Sequence, residues 1–120
     1  MTIRLLLVDD HAVVRTGLKM LLGGQEDVEI VGEAGSAAEA LTETERVHPT
    51  VILMDIGLPD KTGIEATREI KRNFPDVKIV ALTIHEDEEY FFQMLNAGAS
   101  GYVPKRAAPE ELLTAIRAAA

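Results

Sequence analysis

A length of 120 residues, with 47 % hydrophobic and 27 % charged residues, is typical of one globular domain that buries a hydrophobic core. The absence of cysteine excludes disulfides, cysteine-ligated zinc and thiol catalysis, and the net charge of −8 disfavours direct binding to nucleic acid or to an anionic membrane. We expect a cytoplasmic protein without membrane contact, because no apolar run is long enough to span a bilayer and the N-terminus lacks the apolar core of a signal peptide.

The first half of the chain predicts three strands and two helices. Residues 3–8 predict a buried strand, and the helix after it has its apolar residues at helical spacing: Val14, Leu18, Leu21 and Leu22. In residues 28–34, Glu29 and Glu33 lie between apolar neighbours, as expected for a strand with one face or edge near water. A capping box begins a helix over 36–47, and the apolar run 51–54 predicts a strand buried on both faces that ends at Asp55.

The second half predicts two further strands, over 77–83 and 101–103, and three helices. A second capping box at 62–65 begins the third helix. The fourth helix runs from 86 to Gly98, and its first acidic residues fit the positive end of a helix dipole better than a metal site. Pro109 fits the first turn of the last helix. The inward residues expected on these helices are Ile64, Thr67, Ile70 and Phe74, then Phe91, Met94 and Leu95, then Leu112 and Ile116.

Five strands that alternate evenly with five helices predict an α/β fold, a doubly wound five-stranded parallel sheet with helices on both faces. We expect one domain over 1–120, because the sequence shows no linker, repeat or low-complexity segment. In the flavodoxin-like strand order 2-1-3-4-5, strands one and three are neighbours, and ligands bind at the carboxyl ends of the strands.

Chemically active residues follow the predicted strands at those carboxyl ends. Asp9 and Asp10 follow strand one, Asp55 ends strand three, and Thr83 and Lys105 follow strands four and five. Three carboxylates packed together repel one another unless a cation lies among them, and oxygen ligands suit Mg²⁺. A carboxylate beside such a metal can attack a phosphoryl group, with the lysine and the threonine hydroxyl binding the transferred oxygens. For an isolated Asp55, a turn or helix cap is the competing interpretation.

Four stretches together resemble the receiver domain of bacterial two-component response regulators, and this resemblance extends over essentially the whole chain. They are Leu7-Val8-Asp9-Asp10-His11, Met54-Asp55-Ile56-Gly57-Leu58-Pro59, Ala81-Leu82-Thr83 and Tyr102-Val103-Pro104-Lys105. Residues 55–59 and 98–102 are also similar to the NarL/FixJ branch, whose members usually carry a C-terminal helix-turn-helix.

The resemblance implies that Asp55 accepts a phosphoryl group from a sensor histidine kinase or a small phosphodonor. Asp10, Asp55 and the backbone carbonyl of Gly57 would ligate Mg²⁺, with Asp9 acting indirectly. The domain would be a signalling domain, not an enzyme, although it would assist its own phosphorylation and dephosphorylation. Its output would be transcription, through a DNA-binding domain outside this chain. The resemblance is also compatible with a homodimer that forms on phosphorylation.

The resemblance also implies roles for residues around the acceptor. Thr83 and Lys105 would bind the phosphoryl group, and movement of the Thr83 hydroxyl toward it would turn Tyr102 inward. Ordinary packing of Tyr102 is the alternative to this switch. In the family, the residues at the positions of Gly57 and His85 affect how long the phosphoryl group persists.

Three positions depart from the commonest family pattern. Arg106 replaces the usual proline after the lysine, which argues against a cis peptide at 105–106. Ile84 replaces a small residue and can crowd the route to Asp55, whereas Leu58 for methionine conserves volume and should be harmless. The chain stops at Ala120 without an output domain, so it is either a stand-alone receiver or, as we favour, part of a longer protein.

Other functions fit the sequence less well. Residues 60–63 match the phosphorylation motif of P-type ATPases, but Asp60 follows a proline in a loop that leads into the Thr62 cap. A flavin mononucleotide phosphate would be repelled by Asp9 and Asp10. The histidines show no paired metal-ligand spacing; they are His11, His48 and His85. A degenerate receiver that signals by binding alone is the main rival, and the intact set of site residues argues against it.

Overall fold

The computed structural model describes residues 2–83, 88–105, 107 and 109–120. In this part of the chain the strands are β1 (Ile3–Val8), β2 (Val28–Ala34), β3 (Val51–Asp55), β4 (Lys78–Thr83) and β5 (Gly101–Pro104). They form one parallel sheet in the order β2-β1-β3-β4-β5. The predicted flavodoxin-like order is therefore confirmed, and β1 and β3 are neighbours.

Helices cover both faces of the sheet, as the alternation of strands and helices predicted. They are α1 (Ala12–Leu22), α2 (Ala37–Val47), α3 (Gly63–Asn73), α4 (Glu88–Ala97) and α5 (Pro109–Ala119). Helices α2, α3 and α4 share one core cluster with alternate strand residues such as Leu6 and Ile52, while α1 and α5 share the other cluster with Leu5 and Leu53. Each central strand is apolar on both faces because each face packs against helices.

Both predicted N-terminal caps are present. The Ser36 hydroxyl accepts a hydrogen bond from the Glu39 amide at 3.1 Å, and the Thr62 hydroxyl accepts one from the Glu65 amide at 3.2 Å. The reciprocal half of the first capping box is shifted by one residue, because the Glu39 carboxylate accepts from the Gly35 amide at 2.6 Å. These caps fix where α2 and α3 begin.

The helix faces correct three details of the sequence prediction. Phe91 and Leu95 were expected to point inward, but they are 38 % and 43 % exposed, and Met94 and Ala97 are the buried residues of α4. Leu21, on the predicted apolar face of α1, is 37 % exposed. Spacing identifies the side of a helix that faces the sheet but not the width of the buried stripe, which is narrow in α4. Strand β4 begins at Lys78, one residue later than expected.

Several expectations lie outside the described residues. They concern the first two residues of the acidic run at 86–87, Ile84, His85, and the 105–106 peptide with Arg106. Within the described ranges, no helix combines the length and the apolar composition that crossing a bilayer requires.

Candidate functional site

The carboxylates that follow β1 and β3 lie together at one edge of the sheet. The register between these strands continues directly into Asp9 on one and Asp55 on the other. One ligand atom from each of Asp9, Asp10, His11 and Asp55 lies within 4.8 Å of each of the others. The prediction that acidic groups gather at the carboxyl ends of neighbouring strands is correct.

Lys105 brings a positive charge into this cluster. Its Nζ lies 3.2 Å from Oδ2 of Asp9 and 3.4 Å from Oδ1 of Asp55. The backbone amide of Lys105 donates to the carbonyl of Thr83 at 2.7 Å, so the residue after β5 is fixed against the end of β4. Thr83 itself is buried and follows Leu82, the residue that pairs with Asp55 across the sheet. The structure thus brings both predicted phosphate-binding residues to the strand ends beside Asp55.

Asp55 is a buried carboxylate in a negative environment. Only 5 % of the residue is exposed. Burial, and then the charge of Asp9, raise the pKa of Asp55, because both oppose its ionised form. The Gly57 amide, which donates to Asp55 Oδ1 at 3.2 Å, and the Lys105 ammonium act in the opposite direction but do not cancel the rise. Ionised Asp55 therefore destabilises the folded domain unless a further cation binds.

The donor set fits Mg²⁺. Oδ2 of Asp9 is buried and accepts no hydrogen bond, although Lys105 Nζ faces it. Carboxylate oxygens from Asp9, Asp10 and Asp55 are the hard ligands that Mg²⁺ prefers, and a divalent cation would offset their mutual repulsion. Gly57 is exposed beside them, and a Cβ built on it would meet no atom within 4 Å, so its side of the loop is open.

His11 belongs to this cluster, which the sequence analysis missed. Its Nδ1 lies 3.0 Å from Oδ1 of Asp10 and 3.1 Å from Oδ1 of Asp9, and its backbone amide donates to the same Asp9 oxygen at 2.9 Å. A search for paired histidines could not find it. Its position directly after Asp9 and Asp10 at a strand end was the available signal.

Arg15 supports the loop after β1 from helix α1, and the sequence analysis missed this role as well. Its guanidinium donates to the backbone carbonyl of Asp9 and to Oε1 of Glu33, the latter at 3.0 Å. Glu33 also forms an ion pair with Lys19 at 2.9 Å. Both cations lower the pKa of Glu33, and Lys19 has the larger effect. The backbone that carries the acidic pair is therefore fastened to both α1 and β2.

Tyr102 lies on β5 beside helix α4. Its ring centroid is 5.4 Å from that of Phe91 with an interplanar angle of 89°, an edge-to-face contact. The side chain is partly buried against the core cluster under α2, α3 and α4. Both ordinary packing and a switching role agree with this arrangement, and the switch stays a prediction.

Three comparisons place the chain among known proteins. The family model described as the response regulator receiver domain matches residues 5–117. The oxygen regulatory protein NreC of Staphylococcus haemolyticus is 44 % identical over 115 residues, which are 95 % of this chain and 53 % of that protein. The chain thus spans about half the length of the curated relatives it matches.

Solved structures give the same result. A two-component response regulator of the LuxR family from Aurantimonas sp. SI85-9A1 superposes with a TM-score of 0.94 at 39 % identity, covering 98 % of this chain and 84 % of that one. The isolated receiver domain of RcsB from Salmonella enterica serovar Typhimurium, determined with the phosphomimetic BeF3−, superposes with a TM-score of 0.90 at 29 % identity, covering 98 % and 88 %. The chain therefore belongs to the response regulator receiver domain family and is similar to response regulators of the NreC and LuxR type.

Proposed function

We propose that this domain accepts a phosphoryl group on Asp55 from a sensor histidine kinase, in a Mg²⁺-dependent reaction, and thereby switches the output of a longer response regulator. The observation that carries the proposal is the buried Asp55 carboxylate, 3.4 Å from Lys105 Nζ and within the cluster of Asp9, Asp10 and His11. Residues 1–120 would form the phosphoacceptor domain, and the site would reside in the cytoplasm with the kinase.

The reaction would need positioning and charge neutralisation rather than a general base. An oxygen of Asp55 attacks phosphorus, and the bond to the donor nitrogen or acyl oxygen breaks with its electron pair leaving on the donor. The Lys105 ammonium and the Thr83 hydroxyl bind phosphoryl oxygens. Mg²⁺ held by Asp10, Asp55 and the Gly57 carbonyl, with Asp9 acting indirectly, would neutralise charge that builds on those oxygens.

The same residues would influence how long the phosphoryl group persists. The Cβ position of Gly57 is open space, so water would reach the aspartyl phosphate from this side of the loop. His85, the other position that the family resemblance implicates, lies outside the described residues. We therefore expect larger side chains at Gly57 to change the dephosphorylation rate by restricting or directing that water.

The output would be transcription, through a DNA-binding domain beyond this chain. Two facts support this: the curated relatives are about twice as long as the chain, and a net charge of −8 opposes contact between this domain and DNA. Phosphorylation would act by changing the surface around α4 and β5, where a second phosphorylated copy could pair.

The direct test is phosphorylation by acetyl phosphate with Mg²⁺, followed by intact-mass measurement of wild type, Asp55→Asn and Asp76→Asn. Asp76 precedes β4 at the other edge of the sheet, so its exchange makes the same chemical change away from the site. We expect one added phosphoryl group on wild type and Asp76→Asn, none on Asp55→Asn, and none after Mg²⁺ is chelated. Equal labelling of all variants would refute the assignment, and an unlabelled wild type would favour a receiver that signals by binding alone.

A further inference from the structure

Asp60 connects the loop after β3 to the first turn of helix α2. It lies in the loop between β3 and α3, five positions after Asp55. Its Oδ1 accepts a hydrogen bond from the Ala37 amide at 2.8 Å, and its Oδ2 accepts one from the Ala38 amide at 3.0 Å. The carboxylate thus spans from its own loop to the first turn of α2, which precedes it by more than twenty residues.

These contacts complete the N-terminus of α2. The first amides of a helix have no partner within the helix and need outside acceptors. Ser36 accepts from the Glu39 amide, which leaves the amides of Ala37 and Ala38 to Asp60. A carboxylate also suits the positive end of the helix dipole. The hydrogen bond from the Ala37 amide is the largest cause that lowers the pKa of Asp60, and the bond from the Ala38 amide is the second. The carboxylate is therefore ionised at neutral pH.

The loop that Asp60 anchors contains Gly57. At one end the loop is tied by the Gly63 amide, which donates to the Ile56 carbonyl at 2.7 Å. At the other end Asp60 is held by α2, and its Oδ1 also accepts from the Lys61 amide at 3.0 Å. Gly57 lies between these two anchors, exposed and without neighbours at its Cβ position. Its amide donates to Asp55 Oδ1 at 3.2 Å, and this bond and the two anchors together determine where its carbonyl lies.

We infer that Asp60 is a positioning residue for the metal site: by fastening the loop of residues 56–60 to the first turn of α2, it holds the backbone of Gly57 beside the acidic cluster before the cation arrives. The inference rests on the proposed role of the Gly57 carbonyl as a Mg²⁺ ligand. Asp60 itself does not touch the cation or the phosphoryl group. The same contacts also make α2 part of the support for the site, although α2 contributes no side chain to it.

The test compares Mg²⁺ binding by wild type, Asp60→Asn and Asp76→Asn. Binding is measured from the NMR signal of the Gly57 amide during a MgCl₂ titration. Asparagine keeps one acceptor oxygen but turns its amide nitrogen toward an N–H donor, so one of the two bonds is lost. Loss of one such hydrogen bond changes an equilibrium constant by at most about tenfold, and only the part that fixes the loop reaches the metal site, so we expect Mg²⁺ to bind Asp60→Asn about two- to fivefold more weakly. Asp76→Asn should match wild type.

A second readout separates positioning from simple stabilisation of α2. If Asp60 preorganises the loop, saturating Mg²⁺ should restore the phosphorylation rate of Asp60→Asn nearly to that of wild type, while the Mg²⁺ concentration for half the maximal rate rises. A lower melting temperature with unchanged Mg²⁺ affinity would overturn the inference and leave Asp60 as a helix cap. The Mg²⁺ titration judges the inference even if wild type takes up no phosphoryl group, a result that would overturn only the proposed function.

Discussion

At the level of single residues, Asp55 shows that stability and function make opposite demands on one carboxylate. Burial and the neighbouring Asp9 disfavour its ionised form, yet only the ionised form can attack a phosphoryl group. Lys105 offsets part of the repulsion from 3.4 Å. A divalent cation would relieve the remaining imbalance, so a cation site built on Asp55 would lower the stability of the cation-free domain.

The raised pKa of Asp55 predicts how stability depends on pH. Folded Asp55 holds its proton more tightly than the unfolded chain does, so the free energy of unfolding falls as pH rises from the ordinary value of 3.8 through the raised pKa. The penalty is complete above the raised pKa and absent below 3.8. Without Mg²⁺, Asp55→Asn should therefore be more stable than wild type at neutral pH, and this advantage should shrink as pH falls.

Urea unfolding of both proteins across that pH range measures the difference. Lys105 Nζ also lies 3.2 Å from Asp9 Oδ2, and we expect it to keep this contact in the variant, so the substitution should leave no unpaired ammonium that would hide the gain. Mg²⁺ at a hundredfold excess over its dissociation constant should stabilise wild type by about 2.7 kcal/mol, and should stabilise the variant less. Parallel pH profiles for the two proteins would contradict the account of Asp55.

At the level of secondary structure, helix α3 begins in direct contact with the backbone of Asp55. A Cβ built on Gly63 would collide with the Asp55 carbonyl oxygen and would lie 2.7 Å from Cα of Ile56. Both neighbours are backbone atoms and cannot turn aside. The first residue of α3 is therefore glycine because a side chain would push the helix away from the end of β3.

Gly63→Ala should consequently destabilise the domain and disturb the site. The overpacked contact should reduce the free energy of unfolding by about 1–3 kcal/mol, and displacement of α3 should slow phosphorylation of Asp55. Gly57→Ala is the matched control for stability, since its Cβ would meet nothing within 4 Å. Denaturant unfolding measures both variants. A loss of stability in Gly57→Ala equal to that in Gly63→Ala would show that the close approach to Asp55 is not the cause.

The elements themselves were predictable, whereas the contacts between them were not. Apolar periodicity and capping residues located all ten elements in the described chain, because each element must bury one face. Periodicity did not reveal that Phe91 and Leu95 remain exposed, since the width of a buried stripe depends on how the helix sits on the sheet. The bonds from Asp60 join its loop to α2 across more than twenty residues, and the bond from Arg15 joins α1 to the Asp9 carbonyl in the loop before it. Neither contact follows from apolar periodicity or capping patterns.

At the level of the whole molecule, the site is assembled from residues far apart in the chain, and the sheet makes their meeting predictable. Parallel strands bring all their carboxyl ends to one edge, so the order 2-1-3-4-5 placed Asp9 next to Asp55, whereas Lys105 reaches both through its long side chain from β5, two strands beyond β3. His11 was missed because the histidines were considered by their spacing from one another and not by position, directly after Asp9 and Asp10 at a strand end. Fold topology thus predicted which segments meet, and side-chain geometry decided which atoms touch.

The described region around α4 and β5 adjoins the end of β4 that carries Thr83. Strand β5 is a four-residue edge strand, and α4 buries only Met94 and Ala97 among its residues. Elements with few buried contacts are the ones that move or open at the lowest free-energy cost. Tyr102 pairs with Ala81 on β4, two positions before Thr83, so it lies close to the residue proposed to bind the phosphoryl group.

This placement predicts that occupation of the site changes the environment of Tyr102. Beryllofluoride with Mg²⁺ imitates the phosphoryl group. We expect it to attract the Thr83 hydroxyl toward Asp55 and thereby to alter the edge-to-face contact between Tyr102 and Phe91. We expect the ring resonances of Tyr102 to shift in NMR spectra of wild type and to stay fixed in Asp55→Asn under the same additions. If the Gly57 amide signal moves while the Tyr102 ring does not, the site binds the mimic but Tyr102 is a packing residue, and the switch must use another side chain.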